Sequence, residues 1–107
     1  MSMKITVVQN DTKYDLNFTL QDNTGTAMNL TGATLLFKAQ HQDGDVLAFS
    51  GSMDIVSAVS GQCKYTVQNG DFDQSGEYYA EIEITYPSQQ VVTYSDIIIT
   101  VTPELPR

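Results

Sequence analysis

Tryptophan is absent, cysteine and histidine occur once each, and only five of 107 residues are basic. A lone cysteine, Cys63, rules out an intramolecular disulfide, so the chain must hold together by packing. With no tryptophan either, the Cys…Trp…Cys pattern of antibody domains is excluded. One thiol is compatible with a reducing compartment. The basic residues Lys4, Lys13, Lys38, Lys64 and Arg107 are scattered, against thirteen acidic ones, for a formal charge of −8. Such a surface repels phosphate backbones and anionic lipid heads, which argues against nucleic-acid and membrane binding. No apolar run follows Lys4, so no signal peptide is expected, and no segment approaches the roughly 20 apolar residues of a membrane helix. Synthesis in the cytoplasm is the expectation.

What is present is enough for one core. Hydrophobic residues make up 41% and charged ones 17%, which suits a single compact domain. Strand and turn signals alternate throughout. Tyr14, Leu16, Phe18 and Leu20 share one phase from Lys13 to Gln21, with polar residues between them, as a half-buried strand requires. Ile5, Val7 and Val8 mark an earlier strand over Lys4 to Gln9. Asp22-Asn23-Thr24-Gly25 reads as a turn, and Thr26 to Leu30 as a short strand or edge segment. Leu35, Phe37 and Ala39 point inward on the next strand. Asp43-Gly44 then predicts a hairpin from Gln42 to Asp45, leading into Val46 to Ser50. Ile55, Val56 and Val59 are the expected anchors of a less regular stretch from Gly51 to Ser60. Cys63, Tyr65 and Val67 alternate with Lys64 and Thr66. Tyr86 to Gln90 is a hairpin turn, and Val91 to Val101 a long final strand with Ile97, Ile99 and Val101 inward. Roughly seven to nine short strands with regular turns predict an all-β, immunoglobulin-like antiparallel sandwich over residues 1–102. Residues 103–107, with two prolines, read as a linker or cut end. Greasy edges invite pairing, so Lys4 to Gln9 and Val91 to Val101 are the segments to watch.

The chemistry-bearing residues make no catalytic set. His41 sits at a hairpin mouth and Cys63 on an apolar phase, so a solvated turn histidine and a buried thiol outweigh a nucleophile–base pair. Asp43 and Asp45 flank Gly44, and Asp71 and Asp73 flank Phe72. Neither pair fits a twelve-residue calcium loop or the facing carboxyls of a glycosidase, and turn aspartates have backbone bonding to do. Phosphate-loop, dinucleotide and zinc patterns are absent. No enzyme activity, cofactor or metal is expected.

Residues 71 to 84 carry the most information. An acidic turn passes through Ser75-Gly76 into a strand with Tyr78, Ala80, Ile82 and Ile84 on one face. Asp73, Gly76 and Tyr78 follow the order of the structural corner at which a tyrosine opens a sandwich strand. Tyr79, Glu81 and Glu83 fall on the opposite face and are the candidate contact residues. Tyr14, Tyr65 and Tyr78 share phases with aliphatic residues and read as core.

The order of these signals resembles the N-terminal domain family of phage baseplate upper proteins. The segments that carry the resemblance are Tyr14-Asp-Leu-Asn-Phe-Thr-Leu20, Asp22-Asn-Thr-Gly25, Met28-Asn-Leu-Thr-Gly-Ala33, Asp43-Gly44, Gly61-Gln-Cys-Lys-Tyr65, Gly76-Glu-Tyr-Tyr-Ala-Glu81 and Ile97-Ile-Ile-Thr-Val101. Asn29 stands where aspartate is more usual in the family. The resemblance implies a non-enzymatic virion structural protein of a phage or prophage tail. It would join receptor-binding or fibre components to the baseplate, with other tail proteins, or further copies of itself, as partners. Family members usually continue into a helical linker and second domain, so the chain reads as an excised domain or a small stand-alone protein. The rival expectation is a carbohydrate- or cell-wall-binding sandwich, which requires exposed aromatics such as Tyr79 and Tyr94 on one face.

Overall fold

A computed structural model describes residues 3–44 and 48–103. Eight strands make up its regular structure: β1 (Met3–Val8), β2 (Asp15–Thr19), β3 (Thr34–His41), β4 (Phe49–Ser52), β5 (Asp54–Ser57), β6 (Gln62–Thr66), β7 (Gly76–Thr85) and β8 (Val91–Thr102). They form a five-stranded sheet in the order β1-β8-β7-β3-β4 and a three-stranded sheet in the order β2-β6-β5. The fold is an immunoglobulin-like β-sandwich, as the alternating pattern predicts.

Period-two patterning explains the core. Leu16 and Phe18 on β2, Leu35, Phe37 and Ala39 on β3, Cys63 and Tyr65 on β6, and Tyr78, Ala80, Ile82 and Ile84 on β7 are all buried. Each strand turns one face inward and the other to water, and excluding that apolar surface from water holds the layers together. Phe37 lies at the centre, stacked on Tyr65 with ring centroids 4.8 Å apart. Phe49 and Phe72 meet edge to face at 5.2 Å, and Phe72 meets Tyr78 the same way at 5.2 Å. Such offset and perpendicular pairs suit the ring quadrupole.

Four expectations need correction. The sandwich is not wholly antiparallel: β1 pairs with β8 in parallel, Met3 beside Ile97 through Val8 beside Thr102. These two strands are separated by most of the chain, which supplies the long connection a parallel pair requires. Thr26 to Leu30 is no strand; its ladder is limited to one bridge between Gln21 and Ala27. The Asp22 carboxylate accepts from the Thr24 and Thr26 amides, and the Asn29 side chain accepts from the Thr31 amide. These local bonds hold the backbone in turns. Val56 and Val59 are not anchors, being 58% and 72% exposed; Met53 and Leu30 are buried instead. Val56 faces out because β5 alternates, with Met53, Ile55 and Ser57 on the inner phase. Finally, His41 is not solvated: its side chain is only 12% exposed.

The hairpin predicted at Asp43-Gly44 joins β3 to β4, with the Gly44 amide donating to the His41 carbonyl at 2.9 Å. Asp45 and Val46 of that expectation lie outside the described residues. So do residues 104–107 of the expected tail.

Candidate interaction surfaces

β7 runs through the middle of the large sheet between β3 and β8. Its outward residues Tyr79, Glu81 and Glu83 therefore sit centrally on an open face. Tyr79 is 50% exposed. Its neighbours across the sheet are Gln40 on β3 and Ile98 on β8, and Lys4 of β1 pairs in turn with Ile98. Glu83 accepts from the Lys38 ammonium at 2.9 Å, a cross-strand pair that holds the Lys38 pKa above its ordinary value. Both side chains remain about one-third exposed, so the pair orders the face more than it stabilises the fold.

Between Glu81 and β8 the ladder is irregular. Register shifts between Ala80 and Ile82, where Ser95 and Asp96 together oppose one β7 residue. Asp96 adopts φ 66°, a left-handed conformation that aspartate tolerates better than most residues. The bulge leaves a depression of about 500 Å³ lined by Lys38, Gln40, Tyr79, Glu81, Ser95 and Asp96. It also reverses the side-chain phase of β8. Tyr94 and Val92 lie across from the buried Ile82 and Ile84, whereas after the bulge Ile97, Ile99 and Val101 point inward. That phase switch is why both registers of this strand carry apolar residues. Sequence reasoning missed the bulge; an aspartate inside a β-branched run was its signal.

Sugar binding by stacked aromatics needs Tyr79 and Tyr94 on one face. Tyr79 faces outward, while Tyr94 shares the face of Ile82 and packs partly against the core. The two rings do not form a common platform.

Asp73, Gly76 and Tyr78 meet at the end of the sheet. Tyr78 is buried, and its hydroxyl accepts a hydrogen bond from the Gln74 backbone amide. Burial is the larger influence on this phenol and raises its pKa, against that bond, which lowers it. The Asp73 carbonyl accepts from the Gln9 side chain at 2.9 Å, tying the turn to the end of β1. Gly76 has φ 116°, and a Cβ there would stand 3.1 Å from His41 Nε2. His41 packs edge-on against Tyr78 with centroids 4.9 Å apart, and its Nε2 lies 3.0 Å from the Ser75 carbonyl. The Asp43 amide donates to His41 Nδ1 at 3.2 Å. The histidine thus braces this end of the sandwich, a role not legible in the sequence.

Cys63 is buried, with desolvation pushing its thiol up to about 11. Asp71 accepts from the Tyr65 hydroxyl at 2.6 Å and the Gln68 amide at 2.8 Å, which accounts for that carboxylate structurally. Among the described residues no three His, Cys, Asp or Glu side chains come together as a metal site.

A family model described as the BppU N-terminal domain matches residues 1–105. Among solved structures, the crystal structure of CopC from Methylosinus trichosporium OB3b superposes with a TM-score of 0.56 at 14% identity. The alignment covers 99% of this chain and 90% of that one, and it speaks to the fold alone. Comparison with curated proteins gives no match.

Proposed function

This chain belongs to the BppU N-terminal domain family, a family of phage baseplate structural domains, and from that premise we propose that it docks receptor-binding or fibre components onto the tail baseplate. The family match over residues 1–105 carries the reading. Its role is read as non-enzymatic, with function residing in surfaces, and its place as the virion tail. The outer face around Tyr79, Glu81 and Glu83 supports this, since an exposed aromatic ringed by polar groups is the composition of a contact patch. The formal charge of −8 favours a partner with a basic docking face and speeds its encounter. Repetition around a symmetric baseplate multiplies a modest contact into a durable one.

The test is the solution mass of the chain by light scattering after size exclusion, alone and mixed with purified baseplate and fibre proteins of the same virion. A stable complex, weakened about tenfold or more by Tyr79→Ala, is the expected result. A chain that ignores every baseplate protein refutes the proposal and turns attention to glycans.

A further inference from the structure

β8 is paired with β7 along most of its length, but its other side is covered only in part. β1 lies against Ile97 to Thr102 and against nothing earlier. No described strand borders Val91 to Tyr94 on that side.

The hydrogen bonds on both flanks fix the direction of the backbone groups there. The Tyr86 amide donates to the Gln90 carbonyl at 2.9 Å, closing the β7–β8 hairpin. Bonded and non-bonded pairs alternate along an antiparallel ladder, so Val92 and Tyr94 face β7 while Val91 and Thr93 face away. From the other flank, the Gln42 amide donates to Glu77 at 2.8 Å. The same alternation turns Glu83 toward β3, leaving its partner Thr93 pointed outward. Both routes put the N–H and C=O of Val91 and Thr93 on an open edge.

Other edges carry the usual protections. β4 and β5 are four residues long, β5 is irregular and begins with Asp54, β2 carries Asp15, and β1 carries Lys4. Val91 to Tyr94 has no charge, proline, glycine or bulge, and Val91 and Val92 are 56% and 40% exposed. The turn at residues 21–25 stands opposite this edge. Between the two run shallow depressions of about 470 and 400 Å³, the larger bordered by both Asp22 and Asp96.

We propose that the Val91–Tyr94 edge of β8 accepts an extended segment of a baseplate partner as an added strand, continuing the line of β1, with a basic side chain of that segment near Asp22 and Asp96. Main-chain bonds supply the attachment and the flanking carboxylates the selectivity. The strong net negative charge disfavours a second copy of this chain as occupant. The inference rests on the docking reading and specifies its edge and the partner's chemistry.

The probe is a synthetic peptide of alternating valine and threonine ended by arginine, read by amide hydrogen exchange on the whole chain. In the free chain the Val91 and Thr93 amides exchange fast and those of Val92 and Tyr94 slowly; peptide slows the first two by about tenfold or more. Thr93→Pro deletes an outward N–H without touching the β7 ladder, so the thermal midpoint holds while peptide protection disappears. Val91→Lys, which keeps the backbone intact, produces the same loss and serves if the proline variant fails to fold. Val91 and Thr93 amides already protected in the free chain, or peptide binding indifferent to both substitutions, overturn the inference. Binding to purified baseplate proteins separates the two proposals. If the unsubstituted chain and both variants bind them equally, the edge is refuted and docking stands. If the unsubstituted chain binds none while the peptide still protects the edge, docking is refuted and strand acceptance stands.

Discussion

Deleting one oxygen from each of three tyrosines should give three different results, because their hydroxyls meet different partners. Tyr14 Oη is buried with no hydrogen-bond partner among the described residues, and burial pushes its pKa up to about 12. Tyr65 donates to the Asp71 carboxylate at 2.6 Å. Tyr78 accepts from the Gln74 amide. A bond to a charged acceptor contributes about 2 kcal/mol, a neutral one about 1, and relieving a buried unpartnered hydroxyl returns about 1. Tyr65→Phe should therefore cost about 2 kcal/mol, Tyr78→Phe about 1, and Tyr14→Phe should stabilise by about 1. At roughly 5 °C per kcal/mol for a chain of this size, the melting midpoint falls about 10 °C, falls about 5 °C and rises about 5 °C respectively. Urea unfolding with an unchanged m-value confirms that the native state is what changed. Equal losses at all three positions, or a loss at Tyr14, would refute the assignment of partners.

Gly61 has φ 70°, and a Cβ there would stand 2.5 Å from the Leu20 carbonyl oxygen; Gly61→Ala should cost about 3 kcal/mol in urea unfolding, from left-handed strain plus a backbone clash. Burial raises the pKa values of Tyr14, Tyr65, Tyr78 and Cys63. A raised folded-state value means stability intact below the unfolded-state pKa and lost as pH climbs past it, so the melting midpoint should decline above about pH 9 to 10. The acid limb has the opposite sign: bonds from Thr66 and Thr24 hold Asp15 and Asp22 below the usual carboxylate range. Their contribution is present above about pH 4 and lost on further acidification. Asp22→Asn should flatten that limb in a melting series across acid pH. Cys63, buried with a thiol pKa of about 11, should resist a thiol reagent at pH 7 and react promptly in urea.

Much of this fold is legible because strand side chains alternate. Leu16 and Phe18, Leu35 through Ala39, and Cys63 through Val67 announce their buried phase directly. The pattern misleads where local hydrogen bonding overrides it. Thr26 to Leu30 carries β-compatible residues, but Asp22 takes the Thr26 amide and Asn29 takes the following Thr31 amide, so turns bracket the segment. It misleads again at Asp96, where one extra residue reverses the phase of β8. On the candidate contact face, the outward grouping of Tyr79, Glu81 and Glu83 follows from period two, whereas their central position depends on strand order. The ion pair of Lys38 with Glu83 joins residues 45 apart in sequence, and nothing local signals it.

Composition and periodicity by themselves determined an all-β sandwich held without disulfides, an acidic surface, and which face of most strands is buried. These are properties of single residues and of their nearest neighbours along the chain. Only the tertiary structure decided that the first and last strands run parallel, that His41 braces Tyr78 across β3 and β7, and that no described strand covers the front half of β8 on the side away from β7. Each of these depends on which distant segments lie side by side. Strand order is set by the packing of the whole core, and a two-residue period carries no record of it.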